Sequence, residues 1–353
     1  MEVYTWVVEE FVSGADLAQS LYEHVVGPAL RQTAHAAALV GTGSDVLGFD
    51  TDRSTDHGWG PRMHVFVDGT DVVEAVRAVE AALPETFGGW PTRYGWDAVP
   101  VQHHVVVATV GRWLRGRLGF DPSDGTQTVD WLATPQQLLL EVTGGRVFHD
   151  DSGELSAART ELSWYPDGVW HWLLACQWRR LDQEEPFVGR TAEVGDELGS
   201  RIVAARLARD LMRLCLLIDR RYAPYSKWLG SAFSRLGVAT TLGPLIETAL
   251  VAGTFPEREQ AMVEAFQVAA RHHNAAGITR TVTPEVSFFH NRPFRVLGSS
   301  RYMDACLERV HDPWLLSLPQ LGGIDQVVDS TDVLSYADRA RRLTSLYEDR
   351  VSG

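Results

Sequence analysis

Between Leu39 and Pro61 the chain sets Gly41, Gly43, Gly48, Gly58 and Gly60 among Asp45, Asp50, Asp52 and Asp56, with Thr42 and Ser44 beside the first glycines. These residue types in one turn-rich stretch suit phosphate and metal. Glycines let the backbone approach a polyphosphate and turn N–H groups inward as an anion-binding nest. Aspartates supply hard oxygen ligands to a divalent cation that neutralises the phosphates. The residues leave open a second possibility, a tight turn with aspartates solvating its surface. Arg62, just past Pro61, either reaches a phosphate or pairs with a loop aspartate.

The flanking elements must position that loop. Residues 15–39 are rich in alanine and leucine at helical spacing, with a break or kink at Gly27-Pro28, and deliver the chain into the glycines. Met63–Val67 alternates as a strand, Asp71–Leu83 is an amphipathic helix ending before Pro84, and Val101–Val110 is β-rich. The order helix, loop, strand, helix, strand describes a small α/β core. After Asp121-Pro122-Ser123-Asp124-Gly125 the chain turns almost wholly helical, with helices expected over 136–142, 154–164, 167–180, 193–222, 225–236, 243–252 and 257–274. The fold class is therefore α+β, with an α/β domain over 1–125 and a mainly α-helical domain over 126–353. The last eighty or so residues, loopier and carrying Pro284, Pro293, Pro313 and Pro319, are expected to fold back over the first domain's cleft.

Composition narrows the function classes. At 353 residues with 45% hydrophobic and 22% charged content the chain is an ordinary globular one, long enough for two domains. A formal charge of −14 argues against a nucleic-acid surface, which needs a concentrated basic face. Cys176, Cys215 and Cys306 lie apart in apolar segments without Cys-x-x-Cys spacing, and read as buried reduced thiols of a cytoplasmic protein. The N-terminal residues lack a basic leader region, and no run approaches the ~18 apolar residues of a membrane span.

A Gly-Ser pair followed about ten residues later by Asp-x-Asp resembles the minimal nucleotidyltransferase signature. Here the pair is Gly43 and Ser44, the first carboxylate is Asp56, and the second position is Gly58. More narrowly, the runs 43–50 (Gly-Ser-Asp-Val-Leu-Gly-Phe-Asp), 56–62 (Asp-His-Gly-Trp-Gly-Pro-Arg), 183–190, 220–228 and 322–334 resemble the bacterial DUF4037 family, a family with the nucleotidyltransferase-like fold. That resemblance implies Mg2+ held with an NTP, ATP first among them. Gly43 and Ser44 would take the β- and γ-phosphates and Asp56 the metal. Asp50 is the first choice to replace the ligand missing at Gly58. Transfer of a nucleoside monophosphate to a small-molecule acceptor is the activity implied; the alternatives are a nucleotide or metabolite binder that has lost catalysis, and a fold recruited to other small-molecule biosynthetic chemistry. Members of this superfamily often carry a third acidic residue on the second strand, where Val101–Val110 has none; Asp97, upstream, is the substitute.

In the helical part, Arg206, Arg209, Arg213 and Arg220 share one helix face opposite a Val203, Leu207, Leu211, Leu214 and Ile218 stripe. With Lys227 beyond its end, this face either looks at phosphates or is salt-bridged; Arg213 and Lys227 are the cofactor-binding candidates. Glu185, in a charged connection beside Pro186, is the candidate general base on an acceptor hydroxyl. His103 and His104 are adjacent on a strand and so face opposite sides, which argues against a shared metal.

Overall fold

The computed structural model describes residues 11–348 and divides into two units. The first unit runs to Gly125 and resumes over Leu138–Ser163; the second holds Thr126–Gln137 and everything from Trp164. The first unit is built on five strands: β1 (His35–Leu39), β2 (Arg62–Val67), β3 (Arg93–Trp96), β4 (Val99–Ala108) and β5 (Arg146–Asp150). Their order across the sheet is β3-β4-β2-β1-β5. β2 and β4 are parallel, with Arg62 opposite His104 and Phe66 opposite Ala108, and the other neighbours are antiparallel. A parallel pair needs a crossover, which helix Val72–Ala82 provides.

Alternation along β2 decides which side chains meet which layer. Met63, Val65 and Val67 enter one core with Leu21, Val26, Leu30, Ala75, Val79 and Val105, beneath helices Gly14–Leu21 and Val72–Ala82. His64 and Phe66 point the other way, where Trp113 of helix Val110–Leu118 packs on both rings at 5.4 and 5.3 Å.

Two expectations are corrected here. The helical reading of 15–39 holds only for its first half. Helix Gly14–Leu21 passes through a π-turn over Tyr22–Val26, in which Gly27 N–H donates to Tyr22 O, and stays helical through Gly27 and Pro28 to end at Ala29, so the irregularity lies before Gly27-Pro28. His-Ala-Ala-Ala-Leu is then a strand. Ala37, Ala38 and Leu39 have no exposed surface, because β1 is hydrogen-bonded on both edges, to β2 and β5. Small side chains fit a strand covered on both faces, and that packing overrides the helix preference of alanine. The second correction concerns the single cut after Gly125. β5 returns to pair with β1, His149 opposite Ala37, and brings the flanking residues 138–163 into the first unit.

The second unit is helical. Helix Asp167–Glu184 is buried on nearly every side, including Trp170, Trp172, Cys176 and Trp178, as expected of a central helix. Trp170 Nε1 donates to Leu217 O at 2.7 Å, tying it to helix Glu197–Ile218, and Trp178 Nε1 donates to His273 Nδ1 at 3.2 Å, tying it to helix Phe255–Ala275. The three cysteines are buried and free. The C-terminal residues are fastened within this unit, where Tyr347 Oη donates to Gly322 O at 2.9 Å and Arg341 Nη2 to Asp130 Oδ1 at 2.7 Å. Among the described residues no helix is long and apolar enough to cross a membrane.

Candidate functional site

The glycine loop leaves the end of β1 and is locked from beneath by an ion pair. Arg62, the first residue of β2, donates from Nε to Asp45 Oδ2 at 2.9 Å and from Nη2 to Asp45 Oδ1 at 2.5 Å. Nη2 also donates to Thr42 O at 2.7 Å. Asp45 is buried, its side chain 2% exposed against 12% for Arg62. Bidentate pairing of this kind fixes geometry as well as charge. It also explains Gly43: at φ +139° its backbone lies so close over the pair that a Cβ there would sit 2.2 Å from Asp45 Oδ1 and 2.3 Å from Arg62 Nη2. Gly41 N–H donates to Glu141 O at 2.7 Å, so the loop is pinned on its other side as well.

Ser44 opens the short helix Ser44–Leu47, and its Oγ donates to Ser54 Oγ at 3.2 Å. Ser54 belongs to the 3-10 turn Asp52–Asp56, so this bond lays the turn that carries Asp56 against the start of the glycine loop. Asp56 is exposed there. It does not begin a strand, as the signature led us to expect; β2 starts only at Arg62. The reason is local: Thr51 and Ser54 form a reciprocal cap that winds residues 52–56 into a turn.

Asp50 is placed differently from a free metal ligand. Its Oδ2 accepts from Gly14 N–H at 2.7 Å and from Trp59 Nε1 at 3.1 Å, holding the loop to the first helix and to the exit residue Trp59. Gly58 lies at φ +65° beneath the Trp96 ring, where a Cβ would meet Trp96 Cε2 at 3.2 Å. Asp97, at φ +43°, brings its carboxylate 3.6 Å from His57 Nε2, next to Asp56 in sequence.

The loop's floor carries side chains that sequence reasoning did not single out. Arg117 Nη1 pairs with the buried Glu141 at 2.9 Å. The His64 ring lies near Gly41, and burial, then Arg62 and Arg117, depress its pKa to about 3, so it stays neutral. Period-two alternation places His64 two residues from Arg62 on the same strand face, which was the available signal. Glu141 gave none, because it sits on a helix far along the chain.

The remaining candidates lie in the second unit, each with partners of its own. Glu185 is buried rather than set in an open connection; its carboxylate accepts from Leu297 N–H and, at 3.2 Å, from Ser299 Oγ. Burial pushes its pKa up to about 7. Arg213 Nη1 donates to Asp325 O at 2.5 Å, and burial raises the Asp325 carboxyl to about 6. Lys227 is exposed, its Nζ 4.9 Å from the Trp228 ring centre. The arginine face is the salt-bridged alternative. Arg206 pairs with Glu184 at 2.8 Å, Arg209 with Asp329 at 3.0 Å, and Arg220 with Asp167 at 3.0 Å. His104 pairs with Tyr94 O at 2.9 Å and His103 lies 3.7 Å from Glu80, so the two rings face different partners.

Residues 131–229 match the family model described as "Domain of unknown function (DUF4037)". Over that stretch the chain is similar to the DUF4037 family. The matched stretch includes Glu185, Arg213 and Lys227, and ends well short of the glycine loop on its N-terminal side. No curated protein matches the chain. A solved structure of a nucleotidyltransferase-like protein from Exiguobacterium sibiricum is similar at a TM-score of 0.32 and 12% identity, over 84% of this chain and 89% of that one.

Proposed function

We propose that the chain binds a nucleoside triphosphate at the glycine loop, with Gly43 and Ser44 toward the phosphates and Asp56 toward the Mg2+ that the nucleotide carries. The observation that supports this is the lock beneath the loop: Asp45 and Arg62 hold residues 42–45 in one geometry, and the Ser44–Ser54 bond keeps the Asp56 turn beside it. A binding loop fixed before its ligand arrives loses little further freedom on binding. The donor set fits such a metal. Mg2+ is usually held by one or two carboxylates with phosphates and water completing its shell, so one exposed carboxylate suffices when the nucleotide supplies the rest. Arg62 is occupied by Asp45 and acts on the loop's shape, not on phosphate.

Magnesium-dependent transfer of a nucleoside monophosphate to a small-molecule acceptor is the second reading, and Asp97 is the observation that favours it. Its approach to His57 brings a further carboxylate to the segment that carries Asp56. Weighing against it, Gly58 holds the second signature position and β4 carries no acid. Bound Mg2+ would supply charge neutralisation of the phosphates, while this chain's own residues position them. Incubation of each NTP with pools of hydroxyl and phosphate acceptors separates the two readings: binding without pyrophosphate release is expected, and release abolished by Asp97→Asn would move the assignment to a transferase.

A further inference from the structure

At the opposite end of β1 from the glycine loop, sheet pairing gathers a second set of donors. His35 begins β1 and Asp151 follows β5 directly across from it: Asp151 N–H donates to His35 O at 3.1 Å and His35 N–H to Asp151 Oδ2 at 3.0 Å. His149 stands two residues before Asp151, so strand alternation puts both on one face. The His35 and His149 rings are 4.6 Å apart between centres, and His149 Nε2 is 2.9 Å from Asp151 Oδ1. One donor atom from each of the three residues falls within 4.8 Å of the others.

Two details make this more than a chance meeting of polar groups. His35, 7% exposed, has Nδ1 2.8 Å from Thr33 O, a contact that fixes the proton on Nδ1 and leaves the Nε2 lone pair for a ligand. Tyr22 Oη, 3.2 Å away, donates to that same Nε2, a bond that a metal ion on Nε2 would replace. Tyr22 opens the π-turn Tyr22–Val26, the irregularity that carries its phenol over the end of the sheet. His35 and Asp151 also line a cavity of about 410 Å³ with Asp68, Asp121 and Glu154.

We propose that His35, His149 and Asp151 bind a borderline divalent cation of the Zn2+ kind, with a fourth position open for water or the Tyr22 phenol. Two imidazoles and a carboxylate select such an ion over Mg2+, which prefers all-oxygen shells. With bonds of about 2.0–2.1 Å, tetrahedral donors stand roughly 3.4 Å apart. The widest separation therefore closes by little more than 1 Å, within reach of side-chain rotation at half-exposed His149 and Asp151. The site is separate from the Mg2+ proposed at Asp56 and does not rest on that reading.

The test is titration of the metal-free full chain with Co2+, followed by visible absorption, and with Zn2+, followed by calorimetry. One equivalent of Co2+ should give the intense band of a tetrahedral site, and Zn2+ should displace it. His149→Ala and Asp151→Asn should each abolish the band and weaken Zn2+ at least tenfold, with circular dichroism unchanged. His290, an exposed histidine of the second unit, is the control, and His290→Ala should leave both readouts as in wild type. If His149→Ala perturbs the fold, the near-isosteric Asp151→Asn decides. A weak octahedral spectrum, or binding that survives Asp151→Asn or tracks His290, would overturn the site.

Discussion

Removal of the Asp45 carboxylate is the perturbation with the largest calculable effect on the loop. In Asp45→Ala the Arg62 guanidinium keeps its contact with Thr42 O but loses both bonds to a carboxylate, in a place where its side chain is only 12% exposed. Breaking a buried pair from one side costs about 3–5 kcal/mol, because a charge stays behind without its counter-charge. For a domain of the first unit's size, each kcal/mol moves Tm by about 2–4 °C, so a fall of roughly 6–20 °C is expected. Asp45→Ala with Arg62→Met removes the stranded charge and fills the space with an apolar chain. The double variant should be more stable than Asp45→Ala alone, a coupling that a double-mutant cycle measures directly. The assay is thermal unfolding by circular dichroism at constant pH and salt. A Tm drop under about 2 °C for Asp45→Ala would refute the claim that this pair locks the loop, and so would a double variant as unstable as the single one.

Other outcomes follow from single residues. Gly43→Ala adds a Cβ to the space held by Asp45 and Arg62 and at a left-handed φ, so it should destabilise by about 1–3 kcal/mol in urea unfolding and weaken nucleotide binding. Gly58→Asp restores a carboxylate at a φ of +65° that Asp tolerates better than most residues. It should cost about 1 kcal/mol while raising the Mg2+ dependence of nucleotide affinity in calorimetry. Glu185 ionises near 4.5 when free and near 7 in the fold. Between those values the folded chain keeps a proton that the unfolded chain has released, so this stability is present below pH 4.5 and is lost as pH rises through about 7. Glu185→Gln lacks that loss, so its stability relative to wild type should climb from pH 5 to pH 8 by on the order of 3 kcal/mol at most, read as a rise in its Tm relative to wild type.

Alternation in Met63–Val67 and the amphipathic run 72–82 were legible in the sequence because each repeats at the period of its own element and buries one face. β1 was not. Three alanines fit a helix by propensity, and only the two neighbouring strands, one from residues 146–150, make them a strand. The site shows the same division. Gly43 and Ser44 could be placed on a loop from composition, and Arg62 could be narrowed to two partners. That Asp45 is the partner, and that Asp50 serves Gly14 and Trp59, depends on how the loop folds over the sheet. His35 and Asp151 are far apart in the chain, and no spacing rule links them; sheet register does. Glu185 read as a candidate general base because its neighbours are charged, yet its buried carboxylate accepts from residues 297 and 299.

The central claim is that the glycine loop holds a nucleotide with its metal. The most direct measurement is calorimetric titration of ATP, GTP, CTP and UTP into wild type and Asp56→Ala at low ionic strength, with and without Mg2+. Binding that requires Mg2+ in wild type and is lost in Asp56→Ala is the predicted result; absence of binding by any of the four nucleotides, or binding indifferent to both Mg2+ and Asp56, would contradict it.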